Sequence, residues 1–388
     1  MAEYFIHPEG NDGWAGSLAA PFATVQHGVD VATTPGDIVS IIHDPAASNP
    51  IHPISTVITC NSSGTPSAPI TIRGVDVAGN PRPTTRPRVD VTTTSNAHFT
   101  GTGLYLVFED MDLGNYNSYL FHTLRSAVIR RVRQVNGSAS GIEVFGINFT
   151  YSCTNCIFED CEQFVSRVNY FNSDDNTAGS NIYLRCYSVK GFSATGERKA
   201  PQFIRCIADG ATVGFNAVLT SYLSVGASLY GCVAIGCGTG VKFQNGNVSA
   251  SNLSIINSTG NAVELLETGT NNGCVLLQDS IIVGSGGYGI YFANTNRQNL
   301  REARNWFYNN TSGDISSGSI DSTSHTGTDP GLSETTLRIE PNSPAANLAT
   351  SLHGYETAVS AGAFHGAYPC PADIAAAVWA RTGRTLTS

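Results

Sequence analysis

Short apolar segments return along this chain at a spacing that neither helices nor hairpins produce. They occupy residues 106–113, 127–135, 156–164, 181–189, 201–208, 228–235, 248–255, 274–283 and 300–308. One column through them reads Met111, Val132, Cys161, Cys186, Cys206, Cys232, Asn252, Ser280 and Asn305. Its steps average about 24 residues, inside the ~20–30 residue range of stacked β-solenoid coils. Each segment is too short for an amphipathic helix and ends in Gly, Asn or Ser. Such a strand cannot bury its apolar face alone. Stacking successive coils ~4.8 Å apart pairs their backbones and builds one continuous core. Propeller blades would need a longer period, near ~40 residues, with hairpin turns. The expected fold is therefore all-β, a single-stranded right-handed parallel β-helix of about ten coils.

Composition agrees. Charged residues are 13% of the chain, Lys occurs only at Lys190, Lys199 and Lys242, and Gly reaches 40 of 388. Many amphipathic surface helices cannot be built from so few long charged side chains. A net charge of −9 is a poor start for nucleic-acid binding, which depends on neutralising phosphates. The basic cluster Arg125, Arg130, Arg131 and Arg133 alternates with Val128, Ile129 and Val132 and reads as outward Arg on a strand. The opening Met1–Ile6 has no basic n-region or apolar h-region, so a secretion signal is not expected. No run of ~18 apolar residues exists, so no membrane partner is expected either. These features predict synthesis in a cytosol, with the ten Cys reduced.

The N-terminal stretch has the chemistry of a cap. Pro21 opens a segment with Phe22, Val25, Val29 and Ala32 on one helical face, and Pro35-Gly36-Asp37 turns it into the strand at 38–42. Tyr4-Phe5-Ile6-His7-Pro8-Glu9-Gly10-Asn11-Asp12-Gly13-Trp14, Ala20-Pro21-Phe22-Ala23-Thr24-Val25-Gln26 and Pro35-Gly36-Asp37 together resemble the opening of pectate-lyase-like right-handed β-helix proteins. Asp329-Pro330-Gly331-Leu332, Leu337-Arg338-Ile339, Pro341–Ala345 and Ala361-Gly362-Ala363-Phe364 resemble the closing turns of the same superfamily. The segment 371–388, with Asp373 capping a short helix, is similar to one that recurs in tailed-bacteriophage structural proteins. The expected organisation is a cap and first strand over 1–45, the β-helix over 46–367, and an attachment or capping tail over 368–388.

Candidate chemistry is sparse. Cys153 and Cys156 form a CxxC pair and Cys232 and Cys237 lie five apart, but no His accompanies either pair. Reduced thiols stacked inside the coils explain the Cys column better than a metal or redox site. Glu109/Asp110/Asp112 and Glu159/Asp160/Glu162 repeat a strand-end position, where Arg131, Arg185 or Arg205 of another coil can pair with them. Asp174 and Asp175 lie in an insert at 169–181 and Glu197 in one at 191–201; loops on a rigid scaffold are the first place to seek a saccharide site. Tyr116, Tyr119, Tyr151, Tyr170, Phe171 and Tyr222 are candidate stacking platforms. The resemblance implies calcium-dependent β-elimination for its lyase members, which needs an acidic cluster and a Lys or Arg base. No Lys has an evident acidic cluster one coil away, so no metal, cofactor or lyase residue carries over.

From sequence alone the favoured reading is a non-enzymatic protein on a tailed-phage virion surface, a capsid decoration or spike, made in the host cytoplasm. Ile374, Val378, Trp379, Arg381 and Arg384 would bind other virion proteins, with host surface polysaccharide as a further partner. A homo-oligomer fits this reading. The alternative is a glycan depolymerase, a polysaccharide lyase or glycoside hydrolase, with Asp174, Asp175 and Glu197 as weak catalytic candidates.

Overall fold

The computed structural model describes residues 1–92, 97–114, 119–135, 148–151, 153–164, 171–174, 181–195, 201–218, 227–244, 247–266, 274–293, 299–331 and 345. The chain divides into two compact units, Met1–Cys186 and Tyr187–Ser388. Both are built from parallel strands of two to six residues.

In the first unit the strands Glu3–Ile6, Ile38–Ile42, Ile70–Val75, Leu106–Glu109, Val128–Arg130, Ile157–Glu159 and Ile182–Leu184 stack in chain order as one sheet. A second sheet stacks Ile51–Ile54, Arg88–Val91, Asp112–Gly114, Arg133–Gln134 and Glu162–Gln163. A third begins with Ile58–Thr59, Ala97–Thr100, Tyr119–His122 and Asn148–Tyr151. Each coil thus visits three faces before rising one rung, the geometry of a parallel β-helix. The apolar alternation of period two turns one residue set inward, where Phe99, Phe108 and Phe121 are fully buried, Phe99 stacking on Phe121 and Phe108 meeting both at an angle. Burying each such side chain is worth roughly 1.5–3 kcal/mol.

The one helix among the described residues is Val25–Val31. It starts later than the Pro21 signal implies because Thr24 is the N-cap, its hydroxyl accepting from the His27 N–H at 3.2 Å. Asp12 in turn accepts from the Ala23 and Thr24 N–H groups at 2.8 and 2.9 Å. Val25, Gly28 and Val29 are buried; a Cβ on Gly28 would lie 2.4 Å from Ile6 Cδ1, so close packing of the cap requires glycine.

First and second sheets are joined by a two-residue turn whose leading residue is left-handed. Asp110, Arg131, Asp160 and Arg185 hold φ between +52° and +59° in the first unit. Arg205, Asn252, Asp279 and Arg304 occupy the same position in the second, all at φ +54°. A left-handed non-glycine residue costs about 1–2 kcal/mol, and the ion pairs across rungs offset it. Whole rungs alternate in sign: Glu109, Asp110 and Asp112 lie beneath Arg130, Arg131 and Arg133, which lie beneath Glu159, Asp160 and Glu162. Arg131 reaches Asp110 at 2.7 and 2.8 Å and Glu109 at 3.0 Å, and Arg185 reaches Asp160 at 2.7 Å and Glu159 at 2.6 Å. These acids are structural ladders, as their spacing implied.

The Cys column is internal. Cys161 and Cys186 in the first unit and Cys206 and Cys232 in the second are buried, and their thiols donate to backbone carbonyls at 3.2–3.6 Å. Among the described residues no cysteine is disulfide-bonded.

Candidate functional site

In the second unit the third sheet stacks Phe192–Thr195, Val213–Val218, Thr239–Gln244, Val263–Leu266, Tyr288–Phe292 and Gly313–Ile315. The chain enters it through glycines because neighbouring coils leave no room for a side chain. A Cβ on Gly214 would sit 2.5 Å from the Gly240 carbonyl oxygen, and one on Gly240 would sit 2.3 Å from Ile255 and 2.7 Å from the Ala262 carbonyl oxygen. This close approach sets each strand in strict register with the next.

Register then decides what the outer face displays. Phe215, Val241, Val263 and Ile290 pair rung to rung and point inward, all buried. The residue after each points outward: Asn216 pairs with Lys242, Lys242 with Glu264, and Glu264 with Tyr291. Adjacent members are therefore about one rung, ~4.8 Å, apart at their backbones. All four side chains are partly exposed.

Each member has a distinct setting. Glu264 is held by Asn261, whose Nδ2 donates to Oε1 at 3.0 Å while its Oδ1 accepts from the Tyr288 N–H of the next coil at 2.9 Å. Tyr291 stacks on Tyr288 with ring centroids 6.0 Å apart and 22° between planes. Asn216 Oδ1 is buried with no hydrogen-bond partner, an unused acceptor one rung from Lys242. Lys242 lies within 4.0 Å of no carboxylate among the described residues, in contrast to the Arg of the rung ladders. A primary amine, a fixed carboxylate, an amide and an aromatic pair thus share one outer column.

The column adds to the sequence-based expectation that no Lys has an acidic cluster one coil away: Lys242 has a single acid, Glu264, on the next rung and in register. Adjacency along the stack, rather than along the chain, places it there. The signal was present as a repeated pattern of small, apolar, variable and apolar residues: Gly214-Phe215-Asn216-Ala217, Gly240-Val241-Lys242-Phe243, Ala262-Val263-Glu264-Leu265 and Gly289-Ile290-Tyr291-Phe292. The variable position is the outward column.

The calcium expected of pectate-lyase relatives does not fit the described residues. No group of three or more His, Cys, Asp or Glu among them is arranged to hold a metal ion. Asp174 ends the strand Phe171–Asp174, but its side chain, and all of Asp175 and Glu197, lie outside the described residues. So do Tyr116, Tyr170, Tyr222 and the tail residues Ile374, Val378, Trp379, Arg381 and Arg384, together with the side chains of Tyr119, Tyr151 and Phe171. Cys153 and Cys156 are buried, and the hydrogen bond between their thiols lowers the Cys156 pKa.

No protein-family model matches the chain, and no curated protein matches its sequence. Solved structures do. The pectate lyase Pel9A superposes with a TM-score of 0.55 over 94% of this chain and 96% of its own, at 14% identity. A rhamnogalacturonan lyase superposes with a TM-score of 0.53 over 79% of this chain and 87% of its own, at 18% identity. The fold is theirs. At such identities the likeness shows the fold alone, yet both are polysaccharide lyases. That finding overturns the expectation of a non-enzymatic virion surface protein and backs the depolymerase alternative.

Proposed function

We propose that the chain is a polysaccharide lyase that cleaves an acidic polysaccharide by β-elimination, with Lys242 as the base. The observation that carries this reading is the Lys242 amine on the outer face of the third sheet, in register between Asn216 and Glu264 and without an ion-pair partner among the described residues. The likeness to two polysaccharide lyases supports it. Hydrolysis by paired carboxylates is less well supported, because the column offers Glu264 alone where two acids are needed.

In the proposed step the Lys242 amine takes the proton on the sugar carbon next to a uronate carboxylate. The C–H electron pair becomes the new C4–C5 double bond, the C4–O4 bond breaks, and the departing oxygen takes a proton from water. The Asn216 amide is the nearest neutral donor in the column for the substrate carboxylate. No step runs through a metal. The phage-like segment at 371–388 extends the reading to a depolymerase carried on a phage particle, which antibody labelling of purified particles tests.

The enzymatic claim is tested by following formation of the conjugated double bond on acidic polysaccharides. Lys242→Ala should lower the rate at least about 100-fold, the scale of a lost general base. A variant with undiminished turnover would remove Lys242 from the chemistry.

A further inference from the structure

The outer column holds a second kind of information, the order in which its charges follow one another. Rungs of the stack lie ~4.8 Å apart, a step of the order of one sugar along an extended polysaccharide. A polysaccharide lying along the column therefore sets successive sugars over successive residues. The column presents one amine, Lys242, and the next rung presents a carboxylate, Glu264. Asn261 fixes that carboxylate, so it cannot swing aside without losing the 3.0 Å bond. The rung after that presents Tyr291, stacked on Tyr288, a partly exposed aromatic surface with no charge.

We infer that the substrate is a heteropolysaccharide in which each uronate is followed by a neutral sugar, rather than a homopolymer of uronates. The inference rests on the lyase reading of Lys242. A uronate over Lys242 meets the amine, while a second uronate on the adjacent sugar would meet Glu264 at close range, like charge against like charge. A neutral sugar at that position donates hydroxyls to the Glu264 carboxylate, and the following sugar packs on Tyr291. Repulsion at one position is an effective route to discrimination. The chain as a whole points the same way: a net charge of −9 supplies no positive field to gather a continuous polyanion.

The test compares initial rates of double-bond formation on polygalacturonate and alginate with rates on polymers that alternate uronate and neutral sugar, a rhamnogalacturonan backbone and hyaluronan. The wild-type protein should cleave at least one alternating polymer at least about tenfold faster than either homopolymer. Glu264→Gln keeps the shape and the Asn261 contact but removes the charge. It should raise the homopolymer rate severalfold and narrow the difference. Equal rates on both polymer classes, or a Glu264→Gln variant with unchanged preference, would overturn the inference while leaving Lys242 as base. Absence of turnover on every polymer would overturn the lyase reading and this inference with it.

Discussion

Burial holds the His52 imidazole neutral, its pKa lowered to about 4, with Nε2 donating to the Ile42 carbonyl at 2.8 Å and Nδ1 unpartnered. An unfolded chain restores the ordinary value of 6.5. Between those values the unfolded chain binds a proton that the folded chain refuses. Stability is therefore complete above the upper value and falls as pH drops through the window, by up to about 3 kcal/mol. Urea midpoints measured at about pH 7 and about pH 5 should separate for the wild type, and less so for His52→Gln. An unchanged separation would assign the acid sensitivity to other groups. The thiols behave oppositely, since burial pushes Cys60 up to about 12 and Cys161 well above its ordinary value. Alkylation of the native protein should therefore spare Cys161, Cys186, Cys206 and Cys232, read by intact mass, whereas the denatured protein should react throughout. Cys206→Ser should cost about 1–3 kcal/mol if its hydroxyl finds no partner.

At the scale of the element, the left-handed turn between first and second sheets carries both the Cys column and the alternating rungs. Glu109 and Asp110 are about nine-tenths buried beneath Arg131. Arg131→Ala should destabilise by about 3–5 kcal/mol because it leaves the Asp110 carboxylate uncompensated, while Glu109 keeps Arg130. Adding Asp110→Ala should cost less than the sum of the two single changes, with a coupling of about 1–3 kcal/mol by denaturant titration. Simple additivity would mean that solvent already screens the ladder. This turn is also what made the fold legible. Two short strands around a fixed two-residue turn form one block of near-constant length, so the blocks align in the sequence. The third-sheet strands escaped that alignment because loops of varying length separate them from the blocks. Lys242 and Glu264 are 22 positions apart in the chain yet opposite each other in the sheet. The candidate site was thus hidden by the same loops that scatter the repeat.

For the whole molecule, a coil that gains from its neighbours a complete set of backbone partners leaves its outer side chains free to vary. That is why the fold could be read with few charged residues and no helical surface, while function could not. The expectation of a non-enzymatic particle protein leaned on the β-helix itself and the phage-like segment after residue 368, and on finding neither a convincing carboxylate pair nor an acidic cluster one coil from a Lys. Stacking, not sequence, brings Glu264 to Lys242. The central claim is that this column breaks an acidic polysaccharide by elimination, and the mass of the fragments tests it most directly. Elimination leaves each new non-reducing end unsaturated and one water lighter than hydrolysis would. The account predicts that digestion yields unsaturated oligosaccharides, abolished by Lys242→Ala. Saturated fragments carrying the added water, formed equally well by the variant, would contradict it.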